Sequence, residues 1–246
     1  MAEPTSTPYP SRPPSPPANT TTSTSTSTRP RILYPDSGPE APYPLRMEGR
    51  VISGFGRGSK DLGIPTANLP VDGDSSASWI GDARSGVYFG WASLALPDDH
   101  PDHISSSPIP TSSSSAPNTE ESAAAAKDEK EENKFQIYPM VMSIGYNPFY
   151  KNAVRSAEVH LLHRFAADFY GSPMRLLVLG FVRDERDYAD LDALVSDIRV
   201  DCDVARQSLA RAAWTPSQGV ILGPAGGQGE GAGVAKGTLD GSWLVR

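Results

Sequence analysis

Residues 49–70 hold the side chains of this chain whose types and spacing are best suited to chemistry. The segment is rich in glycine around Lys60 and ends in Pro-Thr-Ala-Asn at 65–68, here called the PTAN segment. Glycine allows backbone amides to approach an anion closely, and a nearby lysine adds a mobile positive charge. The Thr66 hydroxyl and the Asn68 amide, two residues apart, add oxygen for a metal ion. The pattern indicates a cradle for phosphate and metal, and therefore nucleotide chemistry.

Two common glycine-rich nucleotide motifs are absent from this segment. The P-loop requires a lysine and a Ser or Thr directly after a glycine five residues beyond the first. Counted from Gly54, that glycine position is Ser59, and Lys60 is followed by Asp61. The dinucleotide fingerprint fails at the same residue, because Ser59 stands where a glycine is required three positions after Gly56. A glycine-rich turn can also be purely structural, so the functional interpretation depends on the PTAN segment.

Three segments have a composition that opposes folding. Residues 1–44 contain half of the 24 prolines of the 246-residue chain and an unbroken Ser/Thr run. We predict disorder there and in a polar insertion at 97–134, because neither has the apolar surface to offset chain entropy. Residues 217–246 contain a glycine-rich run and are predicted to form a flexible tail. The remaining sequence, 45–216 without the insertion, is long enough for one compact core.

Charge and cysteine content restrict the classes of function. Most of the net charge of −7 lies in the insertion, so the rest of the chain has no basic excess that would favour nucleic acid. The single cysteine, Cys202, excludes an intramolecular disulfide and a multi-cysteine metal site, which fits a reducing compartment. No apolar run is long enough to span a membrane. We expect a cytoplasmic monomer; the N-terminus is a poor mitochondrial presequence, with mitochondria as the alternative location.

The apolar segments of the predicted core are mostly strand-like. The strand-like segments are 47–53, 87–96, 136–144, 158–163 and 174–182. Pro139 favours an edge or a bulge in the third of them. Apolar residues at three- and four-residue steps from Tyr188 to Leu209 predict one helix, with Asp187 or Asp190 as its N-cap. Together they predict a mainly β fold, a small closed antiparallel, Greek-key-like barrel with the C-terminal helix packed outside.

A second polar cluster surrounds one of the strand-like segments. Glu158 lies in a half-apolar strand and is either a solvent-facing residue or a general base. His160 and His163 are three residues apart, so on a strand they face opposite ways and cannot readily share one metal ion.

Five segments, in the same order along the chain, resemble the riboflavin kinase family. They are GFGRGSKDLGIPTANLP (54–70), GVYFGWASL (86–94), VMSIGYNPFYKN (141–152), AEVHLLHRFAADFYG (157–171) and GFVRDERDYADLDALVSDIRVD (180–201). The resemblance covers nearly all of the predicted core and neither the tails nor the insertion. It implies an enzyme that transfers the ATP γ-phosphoryl group to the 5′-hydroxyl of riboflavin, giving FMN and ADP, on a small closed antiparallel barrel.

The resemblance also implies roles for individual residues. It gives Glu158 as the catalytic base. The implied ATP-binding residues are Gly54, Lys60, Thr66, Asn68, Leu161, His163 and Tyr170. Thr66 and Asn68 are also the implied ligands of a divalent metal, Mg²⁺ or alternatively Zn²⁺. The implied flavin contacts are Arg183, Arg186 and Tyr188, where Lys and Phe would be equally expected at the last two positions.

The expected partners are therefore the small molecules riboflavin and ATP. No nucleotidyltransferase domain is expected before the core, which implies a single-function kinase with FAD made by another protein. A non-catalytic flavin- or FMN-binding barrel would account for the strands, but not for the joint presence of the glycine-lysine flap, the PTAN segment and Glu158. A third interpretation is a disordered scaffold that carries a small adaptor domain.

Overall fold

The computed structural model describes residues 29–53, 63–71, 77–104, 135–146, 155–222, 233–234 and 236–246. The strands are β1 (Leu45–Arg50), β2 (Ala67–Leu69), β3 (Gly86–Leu94), β4 (Gln136–Tyr146), β5 (Arg155–Leu161), β6 (Pro173–Asp184), β7 (Val220–Ile221) and β8 (Gly233–Val234). The helices are α1 (Leu191–Leu209), a 3₁₀ turn (Ala212–Trp214) and α2 (Ser242–Val245).

Six strands form one curled antiparallel sheet in the order β1-β6-β3-β4-β5-β2. The two edges of the sheet meet at an antiparallel bridge, where the Ile52 N–H donates to the Asn68 carbonyl at 2.9 Å. The order places β6 between β1 and β3, so strands distant in sequence are neighbours. This confirms the predicted antiparallel barrel.

The strands β3, β4 and β6 are buried on both faces, which explains their nearly continuous apolar sequences. One face lines the inner core of the barrel, which includes Met140 and Leu176. The other face packs beneath α1 in an outer core that includes Trp91 and Trp214. The helix therefore lies outside the barrel, as predicted. It begins after Asp190, whose carboxylate accepts the Ala193 N–H at 2.8 Å, so Asp190 is the N-cap.

Pro139 lies in an interior strand and in unbroken register with β3, which differs from the expectation of an edge or a bulge. Pairing of β4 with β7 ends at Ile137, and pairing with β5 begins at Met140. The Pro139 carbonyl accepts the Leu162 N–H at 2.8 Å in this gap. Because no ladder bond is required from the nitrogen at this point, proline is tolerated in the middle of the sheet.

The N-terminal segment is folded from residue 29 onward, so the predicted disorder over 1–44 is wrong for 29–44. The Leu33 N–H donates to Ser208 Oγ at 3.1 Å, and the Phe181 N–H donates to the Tyr34 hydroxyl at 2.8 Å. The Tyr34 ring packs against both Phe89 and Trp214, which stack on each other. A few apolar anchors outweigh the proline-rich composition here, while residues 1–28 lie outside the described part of the chain.

The C-terminal segment is also part of the folded domain, which corrects the expectation of a flexible tail over 217–246. Strand β7 pairs in parallel with β4. In α2, Leu244 and Val245 are buried in the outer core, and the Trp243 indole N–H donates to the Leu176 carbonyl at 3.1 Å. Much of the glycine-rich run of this segment lies outside the described residues.

The insertion begins later than predicted, because residues 97–104 pack on the domain. His100 is buried, and the Asp102 carboxylate accepts the Ala166 N–H at 2.7 Å. The predicted disorder of 105–134 concerns residues that the structure does not describe. None of the helices in the described part of the chain combines the length and apolar character needed to cross a bilayer.

Candidate active site

Strands β2 and β5 bring the PTAN segment next to Glu158. Asn68 is directly opposite Glu158 in the antiparallel pairing. Side chains of directly opposed residues share a face, with their Cβ atoms about 4.5–5.5 Å apart. The flanking residues Ala67 and Val159 point into the inner core, so Asn68 and Glu158 lie on the outer face of the barrel.

The pairing continues on both sides of Asn68 and Glu158. Ile52 is opposite Asn68, and Ser143 of β4 is opposite Glu158. These four residues, Ile52, Asn68, Glu158 and Ser143, form a row across the outer face, here called the outer row. Ile52 and Ser143 are exposed, so the outer row is open to a ligand at both ends.

The Glu158 carboxyl group is half-buried, and this burial raises its pKa above the ordinary value for glutamate. No arginine or lysine among the described residues forms an ion pair with it. A desolvated carboxylate without a cationic partner is a stronger proton acceptor than one in water. The site therefore has a group suited to general base catalysis.

His160 of β5 forms a hydrogen bond with the PTAN segment. Its Nδ1 lies 2.8 Å from the Pro65 carbonyl oxygen, a contact that assigns the proton to Nδ1. Burial lowers the pKa of His160, so its imidazole is neutral near pH 7. This contact holds the residue before Thr66, a positioning role that the alternation of the strand alone did not reveal.

The predicted metal ligands provide only oxygen. Thr66 is half-buried and Asn68 is buried beside Glu158. Within the described ranges, no cluster of three or more His, Cys, Asp or Glu residues could hold a metal ion. A divalent cation held by hydroxyl and amide oxygens, and completed by ligands from a bound phosphate, matches the coordination that Mg²⁺ prefers.

The other predicted nucleotide-binding residues are spread over the end of β5 and the turn that follows. The Leu161 side chain lies in the inner core, so only its main chain can face a ligand. The His163 ring packs against Tyr138, with ring centroids 5.0 Å apart, and Tyr170 is exposed. Gly54 and Lys60 lie outside the described residues.

The three predicted flavin-binding residues meet at two carboxylates of α1. Arg183 is buried and donates two hydrogen bonds to Asp201. Its Nε lies 3.1 Å from Oδ1 and its Nη2 lies 2.8 Å from Oδ2. Asp197 Oδ2 accepts the Tyr188 hydroxyl at 2.7 Å and Arg186 Nη1 at 3.2 Å. We refer to Asp197 and Asp201 as the helix carboxylates.

Sequence reasoning missed the helix carboxylates, although a signal was present. They are spaced four residues apart, and Asp201 interrupts the apolar stripe of α1 next to Cys202. Burial alone would raise the pKa of Asp197, but the Tyr188 hydrogen bond and neighbouring arginines outweigh it and hold that pKa below its ordinary value. Burial and the hydrogen bond to Asp197 raise the pKa of Tyr188 to about 12.

Glu185 lies between the outer row and the predicted flavin-binding residues that contact the helix carboxylates. Gly86, the first residue of β3, is opposite both Asp184 of β6 and Ile144 of β4, so Glu185 and Gly145 each follow a residue paired with it. The Glu185 carboxylate lies over Gly145 of β4, in the space that a Cβ would occupy. Gly145 is two residues from Ser143 on the same face, a rise of about 7 Å. A ligand that reaches from Glu158 to Arg186 would therefore pass Glu185.

Comparisons of the sequence with a family model and with curated proteins indicate one family. The family model described as "Flavokinase: Riboflavin kinase" matches residues 41–209. The chain is 58% identical over 218 residues to a riboflavin kinase of Pyricularia oryzae, over 89% of this chain and 94% of the relative. It is 61% identical over 222 residues to a riboflavin kinase of Chaetomium globosum, over 89% and 93%. A solved riboflavin kinase from Trypanosoma brucei is 26% identical, with a TM-score of 0.43, over 69% of this chain and 82% of that one.

Proposed function

Because this chain belongs to the riboflavin kinase family, we propose a set of residue roles for the reaction of that family. The chain is an ATP-dependent kinase that phosphorylates riboflavin to FMN and releases ADP. The alternative of a non-catalytic flavin-binding barrel is set aside, because the relatives over most of the chain are kinases. The observation that carries the proposed roles is the direct opposition of Asn68 and Glu158 on the outer face.

Glu158 is the proposed general base. As the 5′-hydroxyl oxygen of riboflavin bonds to the γ-phosphorus, the bond from that phosphorus to the β–γ bridging oxygen breaks and ADP leaves. The hydroxyl proton passes to a Glu158 carboxylate oxygen. The raised pKa of this carboxyl supports the role, since a stronger base takes the proton more readily.

Thr66 and Asn68 are the proposed metal ligands, and the family reaction uses ATP with a divalent metal. We favour Mg²⁺ over Zn²⁺ because a hydroxyl and an amide oxygen suit a hard cation, whereas zinc sites in proteins are usually built from His and Cys. When bound, the metal would neutralise negative charge on the ATP phosphates. His160 supports this arrangement by fixing Pro65 and with it the approach of Thr66 to β5.

The remaining roles place ATP and riboflavin on either side of Glu158. For ATP, the proposed contacts are the flap residues Gly54 and Lys60, the Leu161 main chain, His163 and Tyr170. For the flavin they are Arg183, Arg186 and Tyr188. The side chain of Arg183 is occupied by Asp201 on one edge, so its contact with a flavin would involve Nη1, which donates to the Asp184 carbonyl at 3.0 Å.

The test of this proposal is Glu158→Gln, which keeps size and hydrogen-bonding capacity but removes basicity. We expect single-turnover FMN formation to slow by about 10²–10⁴-fold, while riboflavin affinity, measured by fluorescence titration, stays close to that of the parent. Glu48→Gln is the matched control, because Glu48 is an exposed strand carboxylate whose contact with Arg175 is 3.4 Å long. An unchanged single-turnover rate in Glu158→Gln would show that Glu158 only lines the site.

A further inference from the structure

The N-terminal strap, residues 29–36, runs along α1 in the direction of the helix. Arg31 contacts Asp203 near the middle of α1, and the Leu33 N–H donates to Ser208 near its end. Arg29, the first residue of the strap, contacts the helix carboxylates. Its Nη2 lies 2.8 Å from Asp201 Oδ1 and 3.2 Å from Asp197 Oδ1, and it also donates to the Asp197 main-chain carbonyl at 3.3 Å.

Arg29 shares the helix carboxylates with the proposed flavin contacts. Asp201 is bonded by Arg183 from one side and by Arg29 from the other. Asp197 directs Oδ1 to Arg29 and Oδ2 to Tyr188 and Arg186. Every proposed flavin contact is therefore one hydrogen bond away from a carboxylate that Arg29 holds.

The charges show why the strap matters. The two helix carboxylates are four residues apart on one helix, where like charges repel. Arg183 and Arg29 are the two well-buried cations that neutralise them, with side chains 8% and 18% exposed, whereas Arg186 is half exposed. Arg183 already contacts both carboxylates, because its Nε also lies 3.3 Å from Asp197 Oδ2. Without Arg29, this one guanidinium would have to balance both carboxylates, and Asp197 Oδ1 would lose its contact with Arg29.

We propose that Arg29 is a positioning residue for the riboflavin side of the site. By fixing the orientation of both helix carboxylates, it holds Arg183, Arg186 and Tyr188 where a flavin would meet them. The inference rests on the flavin roles proposed above for these three residues. The strap, whose composition predicts disorder, thereby contributes to substrate binding. This role of Arg29 concerns riboflavin and does not extend to the ATP contacts.

The test compares two arginines of the strap in the full-length protein. Arg29→Gln should raise the KM for riboflavin by about tenfold, since a misplacement of binding groups by about 1 Å can cost up to about 10²-fold. The KM for ATP should stay within about twofold of the parent value. Arg31→Gln is the matched control, because Arg31 and Asp203 are 38% and 51% exposed and 3.5 Å apart. Both kinetic constants of the control should match the parent.

Conservative replacement separates positioning from simple support of the fold. Arg29→Lys retains one cation but not the guanidinium whose Nη2 reaches both carboxylates, so it should recover part of the riboflavin affinity. Riboflavin binding, followed by fluorescence titration, should weaken in the order parent, Arg29→Lys, Arg29→Gln. The positioning role is overturned if Arg29→Gln lowers stability to urea while both KM values stay at the parent values. It is also overturned if Arg29→Gln raises the KM for riboflavin and the KM for ATP equally.

Variants of the flavin residues distinguish failure of this inference from failure of the proposed roles. Arg186→Gln and Tyr188→Phe should each raise the KM for riboflavin. If they do and Arg29→Gln does not, the inference about the strap is wrong and the flavin roles stand. If neither Arg186→Gln nor Tyr188→Phe changes the KM for riboflavin, the flavin roles are wrong, and the route proposed for Arg29 is overturned with them.

Discussion

Leu244 offers a direct test of whether the C-terminal segment packs on the domain. Its side chain is fully buried in the outer core, in a helix of only four residues. Such a short helix is not stable by itself in water, so its presence depends on packing. If the segment were the flexible tail that its composition predicts, Leu244 would contribute almost nothing to stability.

Leu244→Ala should lower the free energy of unfolding by about 3 kcal/mol. Truncation of a buried leucine to alanine costs about 2–5 kcal/mol, as the lost transfer free energy plus a cavity term. The middle of that range applies because α2 is a single four-residue turn that can partly collapse around the cavity. For a domain of this size, each kcal/mol lowers the melting temperature by about 2–4 °C, so the expected decrease is about 6–12 °C.

Urea and thermal unfolding, followed by tryptophan fluorescence, would measure this loss. The control is Leu191→Ala, because Leu191 is 57% exposed at the first turn of α1 and its truncation should change stability by less than about 0.5 kcal/mol. A loss in Leu244→Ala no larger than in Leu191→Ala would refute the packing of α2. Below the unfolding transition, kcat should be unchanged in both variants, since α2 packs on β3 and β6 and away from the outer row.

Three further predictions concern Glu158 and the packing of the sheet. Because burial raises the pKa of Glu158, kcat/KM should fall with decreasing pH at a value above the ordinary glutamate pKa of about 4.3, and this limb should be absent in Glu158→Gln. A raised folded-state pKa also means that the carboxyl stabilises the fold only while protonated, so Glu158→Gln should resist urea better than the parent at pH 7 and lose that advantage near pH 4. Gly90→Ala should destabilise strongly in urea titrations, because its Cβ would overlap the Leu177 main-chain carbonyl, whereas Gly145→Ala would meet only the mobile end of Glu185 and should cost far less. Equal losses in the two glycine variants would contradict the packing of β3 against β6.

The sequence was sufficient for the features that depend on local pattern. The apolar runs of β3, β4 and β6 indicated buried strands, and the three- and four-residue periodicity located α1. The opposition of Asn68 and Glu158 could not be read from spacing, because the two residues are 90 positions apart and meet only through strand register. The resemblance to riboflavin kinases gave each residue a role in the same reaction, and the structure supplied their pairing.

Composition gave the wrong prediction where a few residues hold an otherwise polar or proline-rich segment on the domain. The segment 29–44 is proline-rich, but proline also lowers the entropy of the unfolded chain, so a few contacts, including those of Leu33 and Tyr34, hold it on the domain. In the C-terminal segment, Trp243 and Leu244 do the same beyond a glycine-rich run. Average composition over 30 or 40 residues cannot detect anchors of this kind, since they are a small minority of the segment.

The location of the site follows from how the outer face of the barrel is divided. Over β3, β4 and β6 it is covered by α1 and the C-terminal segment, which bury apolar side chains. Over β2 and β5 it carries the polar outer row, including a carboxyl group that burial makes costly to ionise. A protein selected only for stability would pair Glu158 with a cation, as it pairs Asp201 with Arg29 and Arg183. The contrast between these two carboxylates, one held by two arginines and one without a cationic partner in the described chain, supports the proposal that Glu158 is kept available for proton transfer.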